Sequence, residues 1–405
     1  MKKFSFLFFA TLLFGACSMN NAEEPSITPD TADGYLGEGG VSENGGQIDP
    51  GQAGVITAGE WRDLDNWLFW SNLMTNKHAD QEGADNTIYS DYWGFFTNNR
   101  VAVRVTDVNG VPQRDVPVVL NYHTPDIDIA PTPLYQSRTD NKGEVNLWIG
   151  LTQFQETTDA SNLGLLVNNE PEQPVVITHW GEEVKWNECT TYVTPTTNID
   201  IAFIVDATGS MSDEIDFLKK DLTYIIEKVQ EEQTAANIRT AALFYRDEGD
   251  EYITKMSDFT SNLSTTTSFI SKQHADGGGD YPEAVHTALE VGLQQLSWRE
   301  ENSIRLAFML LDAPPHYQSD VVASLHNSVP QYAKRGIRII PVAASGVDKH
   351  TEFFLRFINI ATDGTYVFIT NHSGVGEEHM EATVGEYQVE VLNALIIRLI
   401  NQYLE

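Results

Sequence analysis

Hydrophobic and polar positions follow three different rhythms along the chain. Between residues 87 and 195 the rhythm is two: Val101, Val103 and Val105 alternate with polar neighbours, Asn109-Gly110 makes a turn, and a second apolar run over 116–122 contains Pro117. Period two places one face of a strand in a core, and a proline confines its strand to an edge, a bulge or a first position. Residues 139–144 read as a turn into a strand over 145–149. From residue 196 the rhythm changes. Near-continuous apolar runs at 199–205, 240–245, 304–311, 337–342 and 366–369 are separated by stretches of helical period at 215–229, 283–296, 321–333 and 386–403. Uniformly apolar strands alternating with amphipathic helices predict an α/β fold, a doubly wound, mostly parallel sheet covered on both faces. Ahead of both regions, Trp61, Leu64, Trp67, Leu68 and Trp70 recur at helical spacing. They predict a helix docking on the sheet that follows, with an aromatic sugar-binding platform as the alternative.

The N-terminal residues carry a different signal. Lys2 and Lys3 precede an apolar run over 4–14, too short to span a bilayer, and Phe14-Gly15-Ala16-Cys17 follows. The large residue ahead of Gly-Ala-Cys resembles the lipobox of bacterial lipoproteins, although that family prefers Leu where this chain has Phe14. The resemblance implies lipidation of Cys17 and, with Ser18 next, an outer-membrane destination on either the periplasmic face or the cell surface; simple secretion is the alternative. Residues 18–55, rich in Gly, Asn, Glu, Pro and Ser, lack the apolar area for a core and read as a tether. The expected organisation is a signal peptide (1–17), the tether (18–55), a Trp-rich helical segment (56–86), a β domain (87–195) and an α/β domain (196–405).

Charge removes some functions. The chain has 25 Lys and Arg against 58 Asp and Glu, a net charge of −33, which repels nucleic acid phosphates and anionic lipid surfaces. Nucleic acid is not an expected partner, and the membrane is expected only through the anchor at Cys17. Of the two cysteines, Cys189 has no internal partner if Cys17 carries lipid, so stability is left to the core and to bound cations.

In a sheet of this kind ligands sit beyond the carboxyl ends of the strands, and the polar motifs fall there. Asp206-Ala207-Thr208-Gly209-Ser210-Met211-Ser212 follows the first apolar strand and presents three oxygens at alternate positions. Asp276-Gly277-Gly278-Gly279-Asp280-Tyr281-Pro282-Glu283 enters a helix, and Asp312 ends a buried strand. The motifs resemble those of the von Willebrand factor type A domain with its metal-ion-dependent adhesion site. Thr208 stands for the first Ser of the Asp-x-Ser-x-Ser motif, and Gly-Gly-Gly-Asp replaces the loop that usually supplies a Thr. Tyr245-Arg246-Asp247, the run 341–346 and the run 364–368 extend the likeness, and the region 87–195 resembles Ig-like or carboxypeptidase-regulatory-like sandwiches. The resemblance implies that Thr208 and Ser210 ligate Mg2+ (or Mn2+ or Ca2+), that Asp206 and Asp312 act through water, and that Asp280 takes the place of the Thr. Read without the family, Ser212 or Asp213 caps a helix and Asp280 with Glu283 forms a capping box around Pro282. The cap and the metal role of Asp280 are compatible.

The family implies a non-catalytic adhesion protein that holds an acidic group of a protein ligand through its cation. A structural envelope module is the alternative. A metal-dependent hydrolase, in which a carboxylate-bound metal activates water, is a third reading; a hydrolase using Ser210 with His316 or His274 lacks a Gly-x-Ser-x-Gly elbow, and no Gly-x-x-x-x-Gly-Lys phosphate loop is present.

Overall fold

Residues 56–75, 86–125, 129–154, 159–371 and 380–405 are described by a computed structural model, and all belong to one compact unit. Cys17, the tether, and His372 and His379 lie outside the described residues. The described chain begins with β1 (Thr57–Trp61), α1 (Trp67–Leu73) and α2 (Thr87–Trp93). Next come β2 (Arg100–Thr106), β3 (Pro117–Tyr122), β4 (Thr132–Arg138), β5 (Glu144–Trp148), β6 (Leu163–Val167) and β7 (Trp186–Thr190). They form two three-stranded sheets, β5-β2-β7 and β4-β3-β6. The period-two valines of β2 and β3 are buried in a common core. Pro117 sits on the central strand of its sheet, tolerated there because it is the first residue, where no ladder N–H is required. Cys189 is buried and free.

The remaining elements are β8 (Asn198–Asp206), α3 (Ser212–Glu232), β9 (Asn237–Tyr245), β10 (Thr254–Thr260), α4 (Leu263–Ile270), α5 (Val285–Gln294), β11 (Ile304–Leu311), α6 (Ser319–Lys334), β12 (Ile337–Ala343), α7 (Lys349–Ala361), β13 (Tyr366–Ile369), β14 (Glu390–Val391) and α8 (Leu392–Leu404). The large sheet has the order β10-β9-β8-β11-β12-β13-β1-β14 and is mixed. The strands β9, β8, β11, β12 and β13 run parallel, while β10, β1 and β14 each pair antiparallel with a neighbour. Alternate residues of β8 enter opposite cores. Ala202 and Ile204 pack with α5, α6 and α7, and Ile201, Phe203 and Val205 pack with α3, α4 and α8. Burial on both faces is why this strand is apolar at nearly every position.

The small sheets share the first of those cores and dock where the parallel strands begin. Asp115 pairs with Arg305 at the start of β11 (2.9 Å), Tyr135 Oη donates to Ala361 O (2.8 Å), and Asn146 Nδ2 donates to Asp363 Oδ1 (2.5 Å). The carboxyl ends of β8 and β11 stay clear of these contacts.

The largest departure from expectation is at residues 56–70. Instead of one helix the chain forms β1 and then α1, and β1 lies in the large sheet between β13 and β14. The exposed edge of β13 offers partners for the backbone of β1, so tertiary pairing outweighs a local helical spacing. Leu64, Trp67 and Trp70 are buried, whereas Leu68 points outward. A sugar-binding platform is ruled out for Trp67 and Trp70, which are 3% and 0% exposed. The pattern also missed α7, in which residues 351–361 are all buried, and α4, whose Ser and Thr content is poor for helices.

Candidate metal centre

Register places the first acids together. Asp206 ends β8 opposite Tyr245 of β9, and the pairing of Val205 with Leu310 puts Asp312 just past the end of β11. Both Asp206 and Asp312 are buried, at 0% and 5% exposure. The turn after β8 folds the motif onto itself. Asp206 Oδ1 accepts from Thr208 N (2.9 Å) and Thr208 Oγ1 (2.8 Å), and Thr208 Oγ1 lies 3.3 Å from Ser210 Oγ. No hydrogen bond of ordinary geometry reaches Asp206 Oδ2 among the described residues, although the neighbouring Tyr245 hydroxyl favours the ionised carboxyl. Burial, and next the Asp312 charge, hold the Asp206 carboxyl well above the usual carboxylate range. The buried Tyr245 hydroxyl feels Asp206, Asp312 and Glu283, and burial with these charges raises it well above its ordinary value.

No Lys or Arg forms an ion pair with Asp206 among the described residues. The nearby Arg246 donates from Nε to Ala207 O (3.1 Å) and from Nη2 to His274 O (2.9 Å), and its Nη1 lies 4.0 Å from Asp276 Oδ2. It buttresses the loops rather than neutralising Asp206. Glu214, in the first turn of α3, accepts from the Ser345 hydroxyl and amide and so ties this helix to the loop after β12. The start of α3 at Ser212 has no side-chain cap.

The glycine loop is placed differently from its reading in sequence. Gly277 and Gly278 adopt φ of +81° and +73°, a turn only glycine makes without strain, and Gly278 N donates to Asp250 Oδ2 (2.9 Å). Asp280 is exposed and makes no hydrogen bond or ion pair with the described residues. It caps no helix, because α5 begins at Val285 after an uncapped Ala284. The acid directed inward from this segment is Glu283, 3% exposed, with Oε2 lacking a partner. Burial, followed by the charges of Asp206, Asp247 and Asp312, pushes its carboxyl up to about 9. In sequence Glu283 was legible only as a helix-start residue.

The structure therefore brings together Asp206, Thr208, Ser210 and Asp312, while Asp280, exposed like Ser210, makes no hydrogen bond or ion pair with them. Among the described residues no three His, Cys, Asp or Glu side chains form a ready cage for a metal ion. The converging oxygens are instead a mixture of carboxylates and hydroxyls, a hard donor set suited to Mg2+, Mn2+ or Ca2+. The buried Asp206 carboxyl fits the same requirement, since an uncompensated buried carboxylate costs several kcal/mol. His316 Nε2 is 2.6 Å from Asp247 Oδ1, and the Ser210 hydroxyl is 3.3 Å from Thr208 Oγ1, with no hydrogen bond between Ser210 and either His316 or His274 among the described residues.

Comparison with known proteins agrees with this region of the chain. A model of the von Willebrand factor A domain matches residues 200–351. An ariadne-like RING finger protein of Acanthamoeba polyphaga mimivirus is 35% identical over 122 residues, 30% of this chain and 12% of that protein. An alpha-protein kinase of Dictyostelium discoideum is 28% identical over 171 residues, 42% of this chain and 27% of the kinase. The chain thus spans only a small part of the length of either relative. Among solved structures, the pilus adhesin SpaC of Lactobacillus rhamnosus GG in its open conformation aligns with a TM-score of 0.37 and 11% identity, covering 53% of this chain and 30% of the adhesin. With the crevice formed by β8, β11 and their following loops, the matching model establishes that residues 200–351 contain a von Willebrand factor A domain.

Proposed function

We propose that this protein is a non-catalytic binding module whose type A domain holds a divalent cation, Mg2+ first and Mn2+ or Ca2+ as alternatives, and through it an acidic group of a protein partner. The observation that carries the reading is Asp206: fully buried, with no Lys or Arg pairing it among the described residues, beside Asp312 and the Thr208 and Ser210 hydroxyls. Thr208 and Ser210 would ligate the ion directly, and Asp206 and Asp312 would hold its water. The bound ion supplies an electrostatic anchor for a carboxylate; the loops around it supply specificity. Catalysis is not part of the proposal, since the Ser210 hydroxyl faces Thr208 and His316 is engaged by Asp247.

Two broader readings belong with it. The large sheet is read as the doubly wound, Rossmann-like arrangement, and the two small sheets as an Ig-like sandwich that carries it. The chain is read as an exported outer-membrane lipoprotein anchored at Cys17, on the strength of its N-terminal sequence.

Calorimetric titration of the full chain with Mg2+, Mn2+ and Ca2+, with thermal melts in parallel, tests the central claim. Binding heat and a raised Tm are expected, both lost in Asp206→Ala. A chain that responds to none of the three ions, or a variant that responds like the parent, refutes it.

A further inference from the structure

We propose that Glu283, rather than Asp280, supplies the additional carboxylate of this centre; the inference rests on the cation reading above and adds a residue to it. Three geometric facts support the assignment. The backbone of Glu283 bridges in parallel to Pro315, and its N–H donates to Pro314 O at 3.0 Å, which fixes the residue against the loop that follows Asp312. A β-carbon placed on Gly278 would lie 3.1 Å from Glu283 Oε1 and 3.3 Å from Thr208 Cβ, so the Glu283 carboxylate and the carbon face of Thr208 flank one backbone position. The side chain is 3% exposed, and Oε2 has no hydrogen-bond partner among the described residues.

A buried carboxylate in this state costs several kcal/mol unless a cation or proton compensates it. Asp280, exposed to water, carries no such cost. Asp206, Asp312 and Glu283 form no direct three-residue cage, so they would act on the ion partly through water; their summed charge with one divalent ion is 2 − 3 = −1, which favours cation retention and weakens attraction of an incoming carboxylate. Partner recognition then rests more on the surrounding loops than on the metal.

The test is calorimetric titration of the full chain with Mn2+ and Ca2+, comparing the parent with Glu283→Gln, Glu283→Ala, Asp280→Asn and Asp206→Ala. Melting curves of each protein in EDTA report folding. The expected result is affinity weakened by about tenfold or more in both Glu283 variants, with most of the cation-induced rise in Tm lost, and Asp280→Asn within about twofold of the parent. Parent-like binding by both Glu283 variants while Asp206→Ala fails to bind overturns the Glu283 assignment and leaves the cation centre standing. A loss in Asp280→Asn equal to that in Glu283→Gln also overturns it. A parent chain that binds neither ion removes both readings.

Discussion

The segment before the small sheets is tied to the large domain by one buried ion pair, and its loss has a calculable and asymmetric cost. Arg356 of α7 donates from Nε to Asp63 Oδ2 at 3.0 Å and from Nη2 to Asp63 Oδ1 at 2.5 Å, across 293 residues of chain. The two side chains are 1% and 0% exposed. Asp63 otherwise accepts only from Trp61 Nε1 (3.0 Å), while Arg356 also reaches Glu352 (3.7 Å), the Thr383 carbonyl (2.5 Å) and the Trp70 ring (5.0 Å). Arg356→Met strands Asp63 in the core, which costs about 3–5 kcal/mol, and the lost stacking on Trp70 adds about 1 kcal/mol. Asp63→Asn removes the charge but keeps an acceptor, and Arg356 retains its other partners, so the cost is about 1–2 kcal/mol. Combining Asp63→Leu with Arg356→Met strands neither charge and should destabilise less than Arg356→Met alone. Urea unfolding followed by tryptophan fluorescence measures all three, since Trp70 is buried beside the pair. If Arg356→Met costs under about 1 kcal/mol, or no more than Asp63→Asn, the pair does not hold this segment in place and the reasoning fails.

Two further outcomes follow from the same structure. A methyl group on Gly364 would overlap the Ile339 carbonyl oxygen of β12, so Gly364→Ala should lower stability by about 2–4 kcal/mol; an unchanged urea midpoint would show that the turn before β13 yields easily. In EDTA, stability should fall as pH rises. Burial and then neighbouring charge raise Glu283 from its usual 4.5 to about 9 and raise Asp206 as well, so their contribution is fully present below about pH 4.5 and is lost toward about pH 9. Saturating Mn2+ or Ca2+ compensates these acids, so the drop in Tm between pH 5.5 and pH 8 should shrink with cation; an identical drop with and without it contradicts the prediction.

Much of the fold was legible because burial is written locally. The apolar runs of β8, β11, β12 and β13 and the period-two valines of β2 announced themselves. The motifs after residue 196 also placed Asp206 and Asp312 at the carboxyl ends of buried strands, and the structure makes those two strands neighbours. Pairing partners were less accessible. Nothing within residues 57–61 states that they will join β13, more than 300 residues later, because that choice depends on which sheet edge is left open once the rest has folded.

The same division runs through the site. The sequence by itself determined the oxygen donors, because Asp, Thr and Ser at alternate positions after a buried strand are a chemical composition as much as a geometry. Only the tertiary structure decided which acid of the glycine loop turns inward. Asp280 and Glu283 are three residues apart and equally acidic on paper. The bridge from Glu283 to Pro315 buries one, and the exposed turn leaves the other in water. Local composition fixes what a side chain can do, and long-range packing fixes whether its charge is left in solvent or confined beside other charges, where a proton or a cation must compensate it.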